Sequence, residues 1–531
     1  MPPHNNKFFL KILIKILIKK FFFLNFVSIN RNVSTNRNNG DVMIPDLNTV
    51  KDLYEKYDGF LFQKEVAGDI INPIILLKKM DNFAYSFLLE SAKTDDKILA
   101  RYSFIGYDPE EIIKYQNGFL EVGKGEKKET YKLSNPFYYL KKDLSKMVYS
   151  NNIGDFKGGF LGFISYECVN YCDVLRKNIK EGDFPVLLLM RVNKFFVYDN
   201  YTGKLYASVY INKEKDYYET YRRAEDLINK MIESLFSLDT VKKRTGKVLR
   251  VDEDLKREDY INTVSKVKGE IESGEGIQVV ISKKYDVYFD SINPISFYRS
   301  LRNLNPSPYM FYLKFNDFVL LGSSPETHLK VKDRVGYIKP IAGTYPINKS
   351  SVEEDKKKLL SDKKEVAEHL MLLDLARNDL YTCCDPKTVE VEKSFVAEEY
   401  SHVLHIVSSV KGVLKEGIHP IELFAKTFPA GTVTGAPKVR AIELIEQYEA
   451  SPRGFYAGCV GYFGYNSDID TCITIRSAIV RGNTVTLRAG AGIVYDSIPD
   501  READEVENKL KALFKALDRI KDLEENYVFT R

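Results

Sequence analysis

Histidine and cysteine are scarce in this chain, six of each among 531 residues. The cysteines, at 168, 172, 383, 384, 459 and 472, form no Cys-x-x-Cys pair and lack the density of a disulfide-stapled scaffold, which suits a reducing, cytoplasmic setting. A Walker A motif is missing. AGTVTGAPK at 430–438 places Lys438 after Gly435-Ala436-Pro437, so ATP binding is not indicated. Net charge is only +4 and is spread along the chain, so no basic patch points to nucleic acid. No internal repeat stands out, and beyond the first 42 residues no apolar run is long enough to span a bilayer.

What is present is an ordinary globular balance, 44% hydrophobic and 29% charged, in a chain long enough for two or more domains. Residues 1–42 stand apart. KFFLKILIKILIKKFFFLNF is apolar but carries Lys11, Lys15, Lys19 and Lys20, too many charges for a membrane span. A surface anchor or a targeting segment would fit. The simplest expectation is that the segment lies upstream of the true start, since a normal-looking sequence opens at Met43. Residues 43–236 then form an N-terminal domain of strand-like runs, and the polar stretch 237–256 reads as a linker. Residues 257–525 form a second domain that opens on an amphipathic helix ended by Gly274. Strands in runs and then helices predict an α+β fold, mostly antiparallel sheet with helices packed outside.

Two segments carry paired acids at helical i,i+3 spacing: Glu365 with Glu368 in KEVAEH, and Glu502 with Glu505 in DREADEVENK. If the two helices meet, four carboxylates converge, and a hard divalent cation relieves their repulsion. Asp362 with Glu365 also has the spacing of a capping box. Gly-rich segments at 430–438 and 488–497 offer backbone N–H groups to an anion. Arg476, in the apolar run CITIRSA, needs an anionic partner. His405 shares a strand face with Val403 and Val407 and is a candidate base, whereas His369 reads as structural.

These residues stand within an ordered series: LLES (88–91), GGFLGFISYE (158–167), IQVVIS (277–282), NPSPYMFYLKF (305–315), GSSPE (322–326), PIAGT (340–344), KEVAEHLMLLDLARNDL (364–380), YSHVLHIVS (400–408), FPAGTVTGAPK (428–438), RGFYAG (453–458), ITIRSA (473–478), AGAGIVYDS (489–497) and ENK (507–509). The series resembles the chorismate-utilising enzymes, most closely the large subunits of anthranilate synthases, from about residue 50 to about residue 520.

The resemblance implies Mg2+ bound by Glu368 and Glu505 with Glu365 and Glu502 in support. It implies Glu326 as the acid that protonates the departing hydroxyl, and His405 as base or orienting group. Thr432 joins them in catalysis. Substrate contacts fall to Gln278, Ala342, Gly343, Thr344, Tyr456, Arg476, Gly490, Ala491, Gly492 and Lys509. Relatives that add water carry Lys where this chain has Gln278, and the para-aminating aminodeoxychorismate synthases often carry Lys at the position of Ala342. Both positions therefore imply attack by ammonia and an ortho product, anthranilate. Two rivals remain: a para-aminating enzyme, and a catalytically silent paralogue acting as a regulatory subunit.

Cys459 lacks a Gly-x-Cys-x-Gly elbow and sits in a strand-like run, so it is not a glutaminase nucleophile. The resemblance thus implies a separate glutamine amidotransferase small subunit and a hetero-oligomer. It also implies an L-tryptophan inhibitor site built from Leu89, Glu90, Ser91, Pro306, Tyr309 and Met310, with Glu90 taking the ammonium. One departure is visible: where the family usually reads Arg-Pro-Arg after PIAGT, this chain has Tyr345-Pro346-Ile347-Asn348.

Overall fold

The computed structural model describes residues 42–525 apart from 67–70, 92–100, 239–242, 348–350 and 401–402, so the N-terminal extension lies outside the described residues except for Val42. The described strands form two large sheets, of thirteen and twelve strands. Every pairing is antiparallel except that of Gly59–Val66 with the two-residue strand Val148–Tyr149. The predicted α+β class with mainly antiparallel sheet is what the chain adopts.

Strands such as Gly159–Ile164 and Phe318–Ser324 are buried along their whole length. That is why they read as continuous apolar runs rather than as alternating patterns. Aromatic side chains join the sheets across the core. Phe163 of one sheet meets Phe315 and Phe318 of the other at ring-centroid distances of 5.5 and 6.0 Å, and Phe104 meets Tyr462 at 6.2 Å.

The two expected halves share both sheets. Ser86–Glu90 pairs with Tyr309–Phe315 in the first, and Gly159–Ile164 pairs with Cys459–Gly464 in the second. From Met43 onward the described chain forms one compact unit. Nor is 237–256 only a linker, because Val248–Glu253 is the edge strand of the first sheet, paired with Gln278–Phe289. All six of its residues are exposed. An edge strand exposed on both faces has the composition of a loop, so polarity alone misreads it.

Two helices bring the acidic pairs to the site. Lys363–Tyr381 packs on strands Ile341–Pro346 and Val403–Val413 of the second sheet, and Pro499–Asp518 packs on strand Thr484–Val494 of the first. Pro499 at the start of its helix falls where its missing N–H has no intrahelical partner to lose. Among the described residues no helix is long and apolar enough to cross a membrane.

Candidate active site

The expected capping box at Asp362 forms by half. Asp362 accepts from the N–H groups of Lys364 (2.9 Å) and Glu365 (3.2 Å). Its own N–H turns instead to the Leu359 carbonyl, 3.3 Å away. Glu365 is therefore not spent on capping. It lies against Gly343, where a Cβ would stand 3.0 Å from a Glu365 carboxylate oxygen. Gly343 has φ +68°, a conformation that favours glycine.

One turn along, Glu368 accepts a 3.5 Å hydrogen bond from the Gln278 amide. On the facing helix Glu502 is buried, while Glu505 pairs with Lys509 at 2.7 Å. Burial raises the proton affinity of Glu365, Glu368 and Glu502, and neighbouring carboxylates add to it: Glu368 acts on Glu365, and Glu505 acts on Glu368 and Glu502. The two predicted pairs thus lie within reach of one another's charge. Among the described residues no group of three or more acidic, His or Cys side chains stands ready-made around a metal position. That does not conflict with the donor chemistry, since Mg2+ is commonly held through one or two carboxylates plus water and substrate oxygens.

Glu326 follows strand Phe318–Ser324 and is 6% exposed. Burial pushes its pKa up to about 7, countered in part by the Thr432 side chain, the Ile341 N–H and the charges of Arg476 and Lys509. Five predicted residues are thus gathered: Glu326, Thr432, Arg476, Lys509 and, through its ion pair with Lys509, Glu505. Arg476 is not in the middle of a strand, as CITIRSA suggested. The strand stops at Ile473 and the next begins at Ser477, with Arg476 at φ 51° in the break. The interruption turns the guanidinium position out of the sheet pattern.

His405, on strand Val403–Val413, donates from Nδ1 to the Gly343 carbonyl at 2.5 Å. That bond places the lone pair of the neutral ring on Nε2. His369 is structural, as expected: buried, bonded to Ser408 at 2.6 Å, and held neutral by burial with a pKa of about 4.

The glycines of AGAGI make room for the site. A Cβ on Gly492 would fall 2.5 Å from the Gln278 amide nitrogen, and one on Gly490 would fall 3.0 Å from the Tyr456 hydroxyl. Lys509 donates to the Gly490 carbonyl at 2.9 Å. Ala491 pairs with Ile281, and Ala342, 8% exposed, pairs with Ile406. The side chain of Thr344 lies outside the described residues. So does Asn348, but the departure after PIAGT has a partial account. Tyr345 and Ile347 pack against a small apolar cluster of Leu359, Leu404 and Ile406, where a charged side chain would be costly.

Sequence reasoning missed the network beneath the site. Buried Glu449 pairs with Arg453 (2.7 Å) and Arg488 (2.8 Å). Arg453 also donates to the carbonyls of Val433 and Val280, both at 2.7 Å, and Arg488 to the Ser282 hydroxyl at 2.8 Å. The network ties the 430–436 loop to strands Gln278–Phe289 and Thr484–Val494. The signal was available, because Arg488 is an Arg on an apolar strand, as Arg476 was thought to be. Replacing Arg453 by Met leaves Glu449 short of a partner and is expected to cost ~3–5 kcal/mol of stability. Denaturant titration of the two proteins measures it, and a loss below about 1 kcal/mol would show the network to be dispensable.

At the predicted inhibitor site a cavity of ≈90 Å³ is lined by Leu89, Glu90, Ser91, Tyr309 and Met310, with Tyr102, Phe104, Tyr462 and Asp470 among the others. Pro306 is not in the lining; Pro308 is. Glu90 is already committed. It accepts from Arg302 at 2.7 and 3.1 Å and from the Tyr298 hydroxyl at 2.6 Å, so a ligand ammonium at Glu90 would share the carboxylate with these partners. The other carboxylate at the cavity, Asp470, is engaged too: it accepts the Tyr309 hydroxyl at 2.9 Å and pairs with Lys330 at 3.3 Å.

A buried carboxyl of raised pKa beside two cations, with acidic helices close by, has the makings of an enzyme site. A profile of chorismate-binding enzymes matches residues 84–515, and the chain belongs to that family. Anthranilate synthase component 1 of Neisseria gonorrhoeae is 38% identical over 480 residues, spanning 88% of this chain and 96% of its own. The Methanothermobacter marburgensis protein of the same name is 40% identical over 436 residues, 82% of this chain and 90% of its own. The crystal structure of anthranilate synthase component I from Streptococcus pneumoniae superposes with a TM-score of 0.69 at 30% identity, covering 84% of this chain and 98% of the other. The menaquinone-specific isochorismate synthase of Escherichia coli shares the fold, with a TM-score of 0.65 at 18% identity, over 88% of this chain and 98% of its own.

Proposed function

We propose that the chain is the chorismate-aminating component of an anthranilate synthase, converting chorismate and ammonia to anthranilate and pyruvate. The observation that carries this reading is Glu326, a buried carboxyl with a pKa of about 7, set beside Arg476, Lys509 and Thr432.

Arg476, Lys509 and the backbone at Gly490 and Gly492 hold the substrate carboxylates. Glu326 gives its proton to the departing ring hydroxyl as ammonia attacks. His405 Nε2 then takes the ring proton as the enolpyruvyl group leaves. Glu368 and Glu505 would hold Mg2+, supported by Glu365 and Glu502, and the ion when bound would neutralise charge on a substrate carboxylate. Neither Gln278 nor Ala342 supplies a base for water or an amine nucleophile, which favours the ortho-aminating reading over the para-aminating one. Ammonia comes from a separate glutamine amidotransferase subunit, because Cys459 is buried in its strand and burial keeps its thiol neutral. Six buried thiols suit the cytoplasm.

The test is to incubate purified protein with chorismate, ammonium and Mg2+ and to identify the product by mass-resolved chromatography. A para product, or none, would overturn the reading. Ala342→Lys is expected to reduce anthranilate formation at least tenfold, by adding an ammonium beside the nucleophile path or a covalent adduct to the ring. Anthranilate at the normal rate would mean that PIAGT is away from the nucleophile.

The cavity between Ser91, Tyr309 and Met310 supports a second role as an L-tryptophan inhibitor site, with the Ser91 hydroxyl, buried and without a hydrogen-bond partner among the described residues, and Asp470 as its polar contacts. A coupling of ~1–3 kcal/mol would weaken chorismate binding roughly 5- to 150-fold. Titrating tryptophan against wild type and Ser91→Phe checks it: the variant should lose inhibition, and equal responses would remove the assignment.

A further inference from the structure

An acid works once per cycle only if a proton comes back to it. Glu326 supplies the proton that turns the departing hydroxyl into water, and the nitrogen that adds to the ring releases one proton to solvent. Solvent must then return one to a carboxylate that is 6% exposed. A cavity of ≈30 Å³ lies against that carboxylate. Glu326, His328, Thr432, Ala376, Asp379 and Lys339 are among its walls, whereas Arg476 and Lys509 are not. Asp379, held by Lys438 at 3.0 Å, has a side chain 15% exposed, and Lys339 is partly exposed as well. The cavity thus joins the buried acid to groups that reach solvent, and it has room for about one or two waters.

His328 gives water a reason to be there. It stands two residues after Glu326, where strand Thr327–Lys332 begins, and extended backbone turns residues two apart to one side. The residue is 3% exposed. Its Nδ1 is 3.2 Å from the Thr471 hydroxyl, whose hydrogen is already given to the Leu329 carbonyl at 3.0 Å. Nδ1 must therefore carry the ring proton and donate it, which leaves the lone pair on Nε2. Burial, aided by the charge of Lys438, pushes the ring pKa down to about 3, so the ring stays neutral. Nε2 is then a buried acceptor without a hydrogen bond among the described residues. The Thr427 carbonyl beside the ring is itself an acceptor and takes Lys438 at 3.0 Å, so it cannot serve. Leaving such an acceptor unpaired is costly. A donor inside the cavity removes the cost, and water is the one that fits.

We propose that an ordered water in this cavity, held by His328 Nε2, returns the proton to Glu326 from the solvent side at Asp379 and Lys339. One O–H of the water is held by Nε2, and the other serves the Glu326 carboxylate. In each return the water passes that second proton to Glu326 and takes one from a solvent hydronium or a buffer acid, so the water itself is unchanged. His328 is a positioning residue, neutral throughout. The inference rests on the role given to Glu326 in the amination reading above.

The experiment uses the full chain with chorismate, ammonium and Mg2+. It compares wild type with two variants. Ala376→Val fills the cavity. His328→Phe keeps a ring against Phe424 and Phe428, which meet His328 at centroid distances of 5.1 and 5.6 Å, and removes the acceptor. Rapid-quench kinetics at mildly acidic pH reads the first turnover, made with Glu326 already protonated. Steady-state kinetics reads the later turnovers, which need the returned proton. Crystallography of wild type reads the water itself.

Both variants are expected to form the first equivalent of anthranilate within twofold of the wild-type rate and then to run at least tenfold slower. Imidazolium buffer, entering through the cleft, should restore the later turnovers in proportion to its concentration. Steady-state rates equal to wild type in both variants would mean that Glu326 is recharged through the cleft, and would overturn the proposal. A first turnover slowed as much as the later ones would also overturn it, because the two residues then serve the site as a whole. If wild type makes no anthranilate from ammonium, it is the amination reading that fails. Should circular dichroism show that neither variant folds, the wild-type crystal structure decides. Water within hydrogen-bond distance of both Nε2 and the Glu326 carboxyl supports the proposal, and a dry cavity overturns it.

Discussion

Glu368→Gln is expected to lower turnover on the order of a thousandfold, the equivalent of several kcal/mol of transition-state stabilisation. The substitution keeps the size and the hydrogen-bonding reach of the side chain and removes only its charge. Glu368 faces Glu505 and touches Gln278 at 3.5 Å, so it stands where the acidic helices meet. The same variant should be more stable than wild type without metal at pH 8. The folded-state pKa of Glu368 is raised, first by burial and then by Glu505, so its ionisation costs the fold stability as pH rises above the unfolded carboxyl value of 4.5. Gln carries no such penalty. Steady-state kinetics across a Mg2+ titration, with thermal unfolding in a chelator, checks both signs. Turnover within about threefold of wild type, or a lower melting temperature in the chelator, would remove Glu368 from the metal site.

Glu326→Gln is the second large effect, ~10²–10⁴-fold in kcat, the usual range for loss of a general acid. The wild-type pH profile should carry its signature. With its pKa at about 7, the acid form of Glu326 is lost as pH rises through neutrality. At constant free ammonia, kcat/KM should then fall about tenfold per pH unit on the alkaline side. The variant should lack that limb.

Stability follows the same group with a defined sign. Between the unfolded carboxyl value of 4.5 and about 7 the native state binds more protons than the unfolded chain, so stability declines as pH rises through that window. A wild-type profile flat from pH 6 to 9, or a Glu326→Gln variant with more than about a tenth of normal kcat, would reassign the acid.

Much of this was legible in the chain because it is local. The i,i+3 spacing of Glu365 with Glu368 and of Glu502 with Glu505 survives in any helix, and both segments are helical. His405 on a strand follows from the local apolar pattern in the same way. Which carboxylate stays ionised, and which is held protonated, is not local. Glu326 and Glu449 are both buried, yet Glu326 is raised to about 7 while Glu449 is lowered. Burial acts against charge in both, but Glu449 is gripped by Arg453 and Arg488. Glu90 is likewise paired with Arg302, 212 positions along the chain, a partner that its own motif does not reveal.

By itself the sequence determined the residue types, their spacing along each helix and strand, and with them the family and its chemistry. Tertiary structure alone decided that the two halves share both sheets and that an exposed edge strand replaces the linker. Helix spacing and turn chemistry act over a few residues. Sheet pairing and the pairing of buried charges join positions hundreds of residues apart, and no local pattern in the chain records them.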